Sequence, residues 1–194
     1  MILVGAWDGV LRSCYSVTQF TDDPRCVLRI GRGSTRHGVR FADGSEIHAG
    51  ETIGTLHFWN EQLPPFSRGG PDLRWAATMH RRVLHSLREL ARFVETDPDW
   101  RDIRAFRGEA ALSSRLGAVQ LRRVIEQYGF ECAGEPASWL RQLHDLGECF
   151  TARALTRAYN PNALPRQRFF RPYHDLWLSR ATLIARHGAR RRGR

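Results

Sequence analysis

The stretch Val39 to Leu63, VRFADGSEIHAGETIGTLHFWNEQL, limits the fold more than any other part of the chain. Asp43-Gly44 is a strong two-residue hairpin signal, because a type I′ turn needs positive φ at both central positions and Asp-Gly tolerates it. Ala49-Gly50 marks a second reversal shortly afterwards. Around these turns Cys26 to Gly31 is rich in β-formers, Gly38 to Phe41 and Ser45 to His48 alternate, and Thr52 to Trp59 is β-branched and aromatic. The pattern predicts a three- or four-stranded antiparallel meander whose partners are close in sequence.

The segment after it is read by a different period. Gln62 to Pro71 is loop by composition. From Leu73 to Val94 apolar residues recur at i, i+3, i+4 and i+7, which predicts a long helix, and Thr96-Asp97-Pro98 stops it because proline cannot continue the hydrogen-bond ladder. Ile103 to Ala111 reads as a strand with Ile103, Ala105 and Arg107 on one face and Arg104, Phe106 and Gly108 on the other. Ser113 or Ser114 can cap a helix through Gln127, with Gly129 as its left-handed stop. Phe130 to Ala133 predicts a short strand, Glu135 to Asn160 a third main helix, and Arg180 to Arg186 a short terminal one. Ala6 to Phe20 has spacing nearer helix than strand. The expected class is α+β: a small N-terminal antiparallel β-meander packed against a long helix, followed by a strand-helix-strand-helix half. One domain is expected over residues 1–188, with 189–194 as a basic, disordered tail.

Composition narrows the function classes. The 194 residues are 42% apolar, enough for a real core, and carry a formal charge of +10 with no Lys at all. Most of that charge sits in Arg166 to Arg194, where nine Arg face the single Asp175, while the preceding part is close to neutral. A nearly neutral body with a basic end argues against an extended nucleic-acid footprint. Cys14, Cys26, Cys132 and Cys149 form no C-x-x-C pair, so neither a zinc ribbon nor a redox motif is indicated. No secretory signal precedes Asp8 and no apolar run approaches the roughly 20 residues that span a bilayer, so the expected location is the cytoplasm or the inner face of the membrane.

Few side chains suggest chemistry. His57 and Asn60 could meet in one cleft if the strand ends between them, His as a general base and Asn as a donor to developing negative charge, with Glu51 or Glu61 as an acid. His80 lies in the apolar stripe of the long helix, where it is either a core histidine bonded to backbone or a ligand contact. The run RQRFFRPYHDLWLSR interleaves Arg166, Arg168, Arg171 and Arg180 with Phe169, Phe170, Tyr173 and Trp177. That mixture suits an anionic lipid surface, stacking on single-stranded nucleic acid, or packing of a final segment over the core. Gly31-Arg32-Gly33 lacks the strand–GxGxxG–helix context of a nucleotide loop, and without Lys there is no Walker motif. No motif calls for a cofactor or a metal.

The order of a V-x-F-x-D-G-x-x-I-x-x-G-E-x-I-G-x-L-H-x-x-N block, a long helix, an I-R-A-F-R-G strand and an L-R-R-V-I-E-Q-Y-G-F helix resembles the YkoP-like bacterial proteins. The resemblance runs from about Trp7 to about Gly188 and is sharpest from Asp43 to Asn60. It implies small domains that stand alone or attached to polysaccharide-deacetylase-like domains, in the setting of glycosyltransferases and envelope functions. Taken with the residues, it gives the leading expectation of a cytoplasmic accessory or binding protein in envelope glycan or glycolipid metabolism. Its partner would be an anionic lipid, a glycolipid or polysaccharide intermediate, or an envelope glycan enzyme, met through His80, Arg166, Arg168, Arg171 and Trp177. The alternative is a hydrolase or transferase acting on a sugar or lipid intermediate through His57 and Asn60.

Overall fold

The structure is a computed structural model that describes residues 18–66, 70, 72–111, 117–133, 157 and 173–189. It is α+β, with N-terminal antiparallel strands and a long helix, as the periodicities require. Strand β1 (Leu28–Ser34) is followed by a hairpin, β2 (Val39–Arg40) and β3 (Glu46–Ile47), and then by β4 (Thr52–Phe58). Helix α1 (Leu73–Thr96) leads to β5 (Ala105–Ala111), α2 (Gly117–Gln127), β6 (Glu131–Ala133), β7 (Tyr173–Ser179) and α3 (Arg180–His187). Among the described residues the main sheet has the order β1-β4-β5-β7-β6, and the hairpin is a separate two-stranded ladder.

The N-terminal strands pair around the hairpin rather than in simple succession. β1 and β4 form one antiparallel ladder from Leu28↔Phe58 to Ser34↔Thr52, and β2–β3 is an excursion from its end. The Asp43-Gly44 turn differs from the expected type I′. Gly44 N–H donates to Phe41 O at 3.0 Å and Phe41 N–H to Ser45 O at 2.9 Å, so the loop holds three residues, Ala42-Asp43-Gly44, with Gly44 left-handed at φ 85°. A type I turn closed by a left-handed glycine satisfies the same strand twist and needs only one positive φ. At the second reversal Glu51 N–H donates to His48 O, and Gly50 sits at φ 86°.

Asp43 has a further task, for it anchors the hairpin tip to the start of α3. Its carboxylate accepts from the Ser179 hydroxyl, from Thr182 Oγ1 at 3.1 Å, and from the Ser45 amide and hydroxyl at 2.8 and 2.6 Å. Next to it, Ala42 N–H donates to Glu131 at 3.1 Å. Burial by itself raises the Asp43 pKa, but the hydrogen bonds from Ser179, Ser45 and Thr182 outweigh it and hold the carboxyl at about 2, below its ordinary 3.8. A depressed folded-state value stabilises above the unfolded pKa, and that stability is lost as the pH falls from near 4 toward 2. Asp43→Asn is therefore expected to cost about 1 kcal/mol at pH 7, a figure discounted for solvent screening. Thermal melts of the two proteins should converge as the pH approaches 2; a gap that stays constant with pH would refute the anchor.

β4, α1 and β5 form a crossover in which β4 and β5 run parallel, and α1 covers one face of the sheet. Leu28, Ile30, Leu56, Phe106, Leu176 and Leu178 meet Leu87, Leu90, Ala91 and Val94 of α1 and Leu183 of α3 there. The hairpin covers part of the opposite face, where Phe41 and Ile47 pack on Ile53, Ala105 and Trp177. The apolar stripe of α1 is buried only over its C-terminal half: Leu73 is 89% exposed and His80 is exposed as well.

Two expectations change, and a third falls outside the described residues. Thr18 forms an extended bridge with Ile30, so the Ala6–Phe20 helix does not reach its expected end, and its earlier residues lie outside the described ones. The expected third helix, Glu135 to Asn160, lies outside them too apart from Arg157. The segment Tyr173–Ser179, read for its Arg and aromatic content, is a strand in the interior of the sheet between β5 and β6.

Candidate ligand site on the sheet face

Successive residues of a strand point to opposite faces, so the register decides which side chains meet. Arg29 lies opposite His57, Leu56 beside Gly108, and Glu109 opposite Asp175. One residue beyond the Leu56–Gly108 pair, His57 and Glu109 are therefore neighbours on adjacent strands. Arg29, His57, Glu109 and Asp175 form a row across β1, β4, β5 and β7, on the face away from α1. The next row along the strands is Gly31, Thr55, Arg107 and Trp177. The row after that is Gly33, Ile53, Ala105 and Ser179, and the hairpin closes over its Ile53 and Ala105. The face thus changes from apolar to ionisable within three rows.

Burial makes the polar rows expensive unless their charges are matched. Asp175, only 2% exposed, accepts from Arg107 Nη2 at 3.0 Å, and the same nitrogen donates to Glu109 Oε1 at 2.8 Å. Arg29, 7% exposed, lies 4.8 Å over the Trp59 ring and donates to Glu61 Oε1 at 3.3 Å. Burial pushes the His57 imidazole below its ordinary pKa, which favours the neutral ring at physiological pH. His57 Nε2 lies 3.2 Å from Thr55 Oγ1.

The sequence candidates scatter relative to this face. His57 is on it and part-buried. Glu61 folds back from the 3-10 turn Asn60–Gln62 to pair with Arg29, the register partner of His57. Asn60 opens that turn, and no hydrogen bond among the described residues joins it to His57. Glu51 stands six positions before His57, roughly 20 Å away along an extended strand at ~3.3 Å per residue, and pairs with Arg104 at 3.7 Å. His80 is corrected from a core histidine to an exposed one: it lies on α1, which packs on the other face, with Nδ1 2.7 Å from the Tyr128 hydroxyl. Trp177 is buried under the hairpin at 2% exposure, so it is a core residue and not a surface aromatic. Arg166, Arg168 and Arg171 lie outside the described residues. Among the described residues no group of three His, Cys, Asp or Glu side chains is arranged to hold a metal ion.

The residues that sequence reasoning missed are Arg29, Arg107, Glu109 and Asp175. Their signal was a charge at every second position of a strand that is otherwise buried, R-x-E in β5 and a lone Asp in β7. Surface strands show the same alternation, so the pattern acquires meaning only once the burial of these charges is known.

Fold and site together define an α+β domain with a mixed sheet, helical on one face and carrying a hairpin and an ionic cluster on the other. The family model for the YkoP domain matches residues 1–187, and the chain belongs to that family. No curated protein and no solved structure matches the chain.

Proposed function

We propose that the protein binds a sugar or glycolipid intermediate of envelope metabolism on the polar half of this sheet face, acting as an accessory or binding protein. The supporting observation is that the part-buried His57 and Glu109 share one face of the sheet with the buried Arg29 and Asp175, whose charges are held by Glu61 and Arg107. Such planar polar groups suit vicinal hydroxyls, because a carboxylate accepts and a guanidinium donates in fixed directions. The hairpin forms one wall of the site, and the Arg-rich end after residue 166 supplies attraction for an anionic headgroup or lipid surface. Among the described residues no helix is long and apolar enough to cross a membrane, so on this reading contact with lipid is peripheral.

Calorimetric titration with N-acetylglucosamine, glucose 1-phosphate and short polysaccharide fragments tests the reading. Saturable binding to at least one of them is expected, weakened about tenfold, or roughly 1.4 kcal/mol, by Glu109→Gln. Failure of all three probes would remove the sugar ligand class, and binding indifferent to Glu109→Gln would exclude the sheet face as its site.

A further inference from the structure

We infer that Thr55 and His57 form a hydroxyl–imidazole pair that carries out acyl transfer, so that the ligand is an ester of the proposed sugar or glycolipid class. The inference rests on the ligand site just proposed and adds a reaction to it. Both side chains are only part-buried, share one face of β4, and place a base nitrogen 3.2 Å from a hydroxyl oxygen. That is the relation a hydroxyl nucleophile needs to its base, and it commonly tightens when substrate binds.

Local structure holds the pair in place. Thr55 Cγ2 lies so close to Gly33 that a Cβ added there would meet it at 3.0 Å. A β-branched side chain has few χ1 choices, and with its methyl seated over a glycine its hydroxyl turns toward His57. The Gly31-Arg32-Gly33 segment, no phosphate loop, thus gains a role, since a side chain at position 33 would crowd Thr55. Across the parallel ladder the register partner of Thr55 is Arg107. Its Nη2 is engaged with Glu109 and Asp175, but among the described residues its buried Nε–H has no hydrogen-bond partner. A donor left unspent beside a nucleophile is available to the negative charge that develops on an attacked carbonyl oxygen.

The chemistry balances with water alone. The Thr55 oxygen bonds to the ester carbonyl carbon while His57 Nε2 takes its proton, and the carbonyl oxygen becomes an anion facing Arg107. Collapse breaks the bond to the alcohol oxygen, which leaves with the proton from His57. Water then attacks the acyl-Thr55 ester with His57 again as base, releasing the acid and restoring the hydroxyl. Burial of His57 keeps its ring unprotonated and ready for the first step.

The full chain mixed with p-nitrophenyl acetate tests this. A burst of p-nitrophenolate matching the protein concentration is expected, with an acetyl group on Thr55 in the peptide map. Thr55→Val and His57→Gln should slow release about 100-fold while keeping the parent circular dichroism spectrum. Thr55→Ser should keep the burst and the adduct. An acetyl group found only elsewhere, or a burst unchanged in Thr55→Val, overturns the inference. Binding is read separately by repeating the sugar titrations on Thr55→Val. A parent chain that binds sugar but never acetylates Thr55 removes the acyl transfer and leaves the binding intact. Acetylation of Thr55 in a chain that binds none of the sugars supports the Thr55–His57 chemistry and removes only the ligand class.

Discussion

Gly54→Ala is expected to lower the melting temperature by about 5 °C or more, although it adds a single methyl group. Gly54 on β4 is the register partner of Phe106 on β5, and a Cβ built on it would stand 2.4 Å from Phe106 Cδ1 and 2.7 Å from Cε1. The ring cannot retreat, since Phe106 is fully buried among Leu56, Leu90, Leu178 and their neighbours. Overpacking of this kind costs roughly 1–3 kcal/mol, and here it would also strain the parallel pair that positions Thr55 and Arg107. A double-mutant cycle isolates the cause: in a Phe106→Leu background the same Gly54→Ala change should cost less by about 1 kcal/mol. Equal costs in the two backgrounds would show that the clash is not with the ring. The contact also accounts for the glycine in the I-G-x-L-H segment.

Arg180→Ala should be at least as damaging, at about 3 kcal/mol, from a position that looks like one more member of a basic tail. The Arg180 guanidinium donates from Nη1 to Trp100 O at 2.6 Å and Ile103 O at 3.2 Å, and from Nη2 to Val94 O. Its backbone N–H donates to Arg104 O at 2.8 Å. One side chain therefore collects carbonyls from the last turn of α1, the 3-10 turn Pro98–Trp100 and the approach to β5. Truncation leaves these acceptors with poor access to water, and unmet buried acceptors cost more than their bonds contribute. Arg180→Lys should recover only part of the loss, because an ammonium on a flexible stem cannot span the fork. Arg104→Ala is the control: its 3.7 Å pair with Glu51 is exposed and should contribute less than about 1 kcal/mol. Urea denaturation of the three variants checks the order, and an Arg180→Ala midpoint no lower than that of Arg104→Ala would disprove the assignment.

Much of the scaffold was legible because single residues carried it. Gly44, Gly50 and Gly129 have positive φ where left-handed turns were expected, and the Leu73–Val94 stripe gave a helix ending at Thr96. Ala105 to Ala111 alternated as read, with Ala105 and Arg107 facing away from Phe106, but Ile103 lies before the strand and packs in the core with Phe106 rather than on the face of Ala105. The three-residue loop was missed because Asp-Gly fits both a two-residue turn and the end of a longer one, and only the Phe41 hydrogen bonds separate them. His80 was misplaced because its helix stripe is buried only from Ser86 onward among the described residues. The site was mostly illegible for a more general reason. Its row is assembled from four strands whose members lie far apart in sequence, and no local pattern reports a register between Glu109 and Asp175. His57 was visible because it sits in a dense motif, while its neighbours were isolated charges in separate segments.

The last strand among the described residues lies inside the sheet, between β5 and β6. During synthesis, β1 to β6 can leave the ribosome while β5 still has an open edge of unpaired amides and carbonyls. β6 is then without its only described partner in the sheet. Sheet edges of that kind recruit other strands, including those of a neighbouring nascent chain. The arrival of Tyr173–Ser179 both completes the row at Asp175 and ends this vulnerable interval, so assembly of the ionic cluster and protection from aggregation are one event.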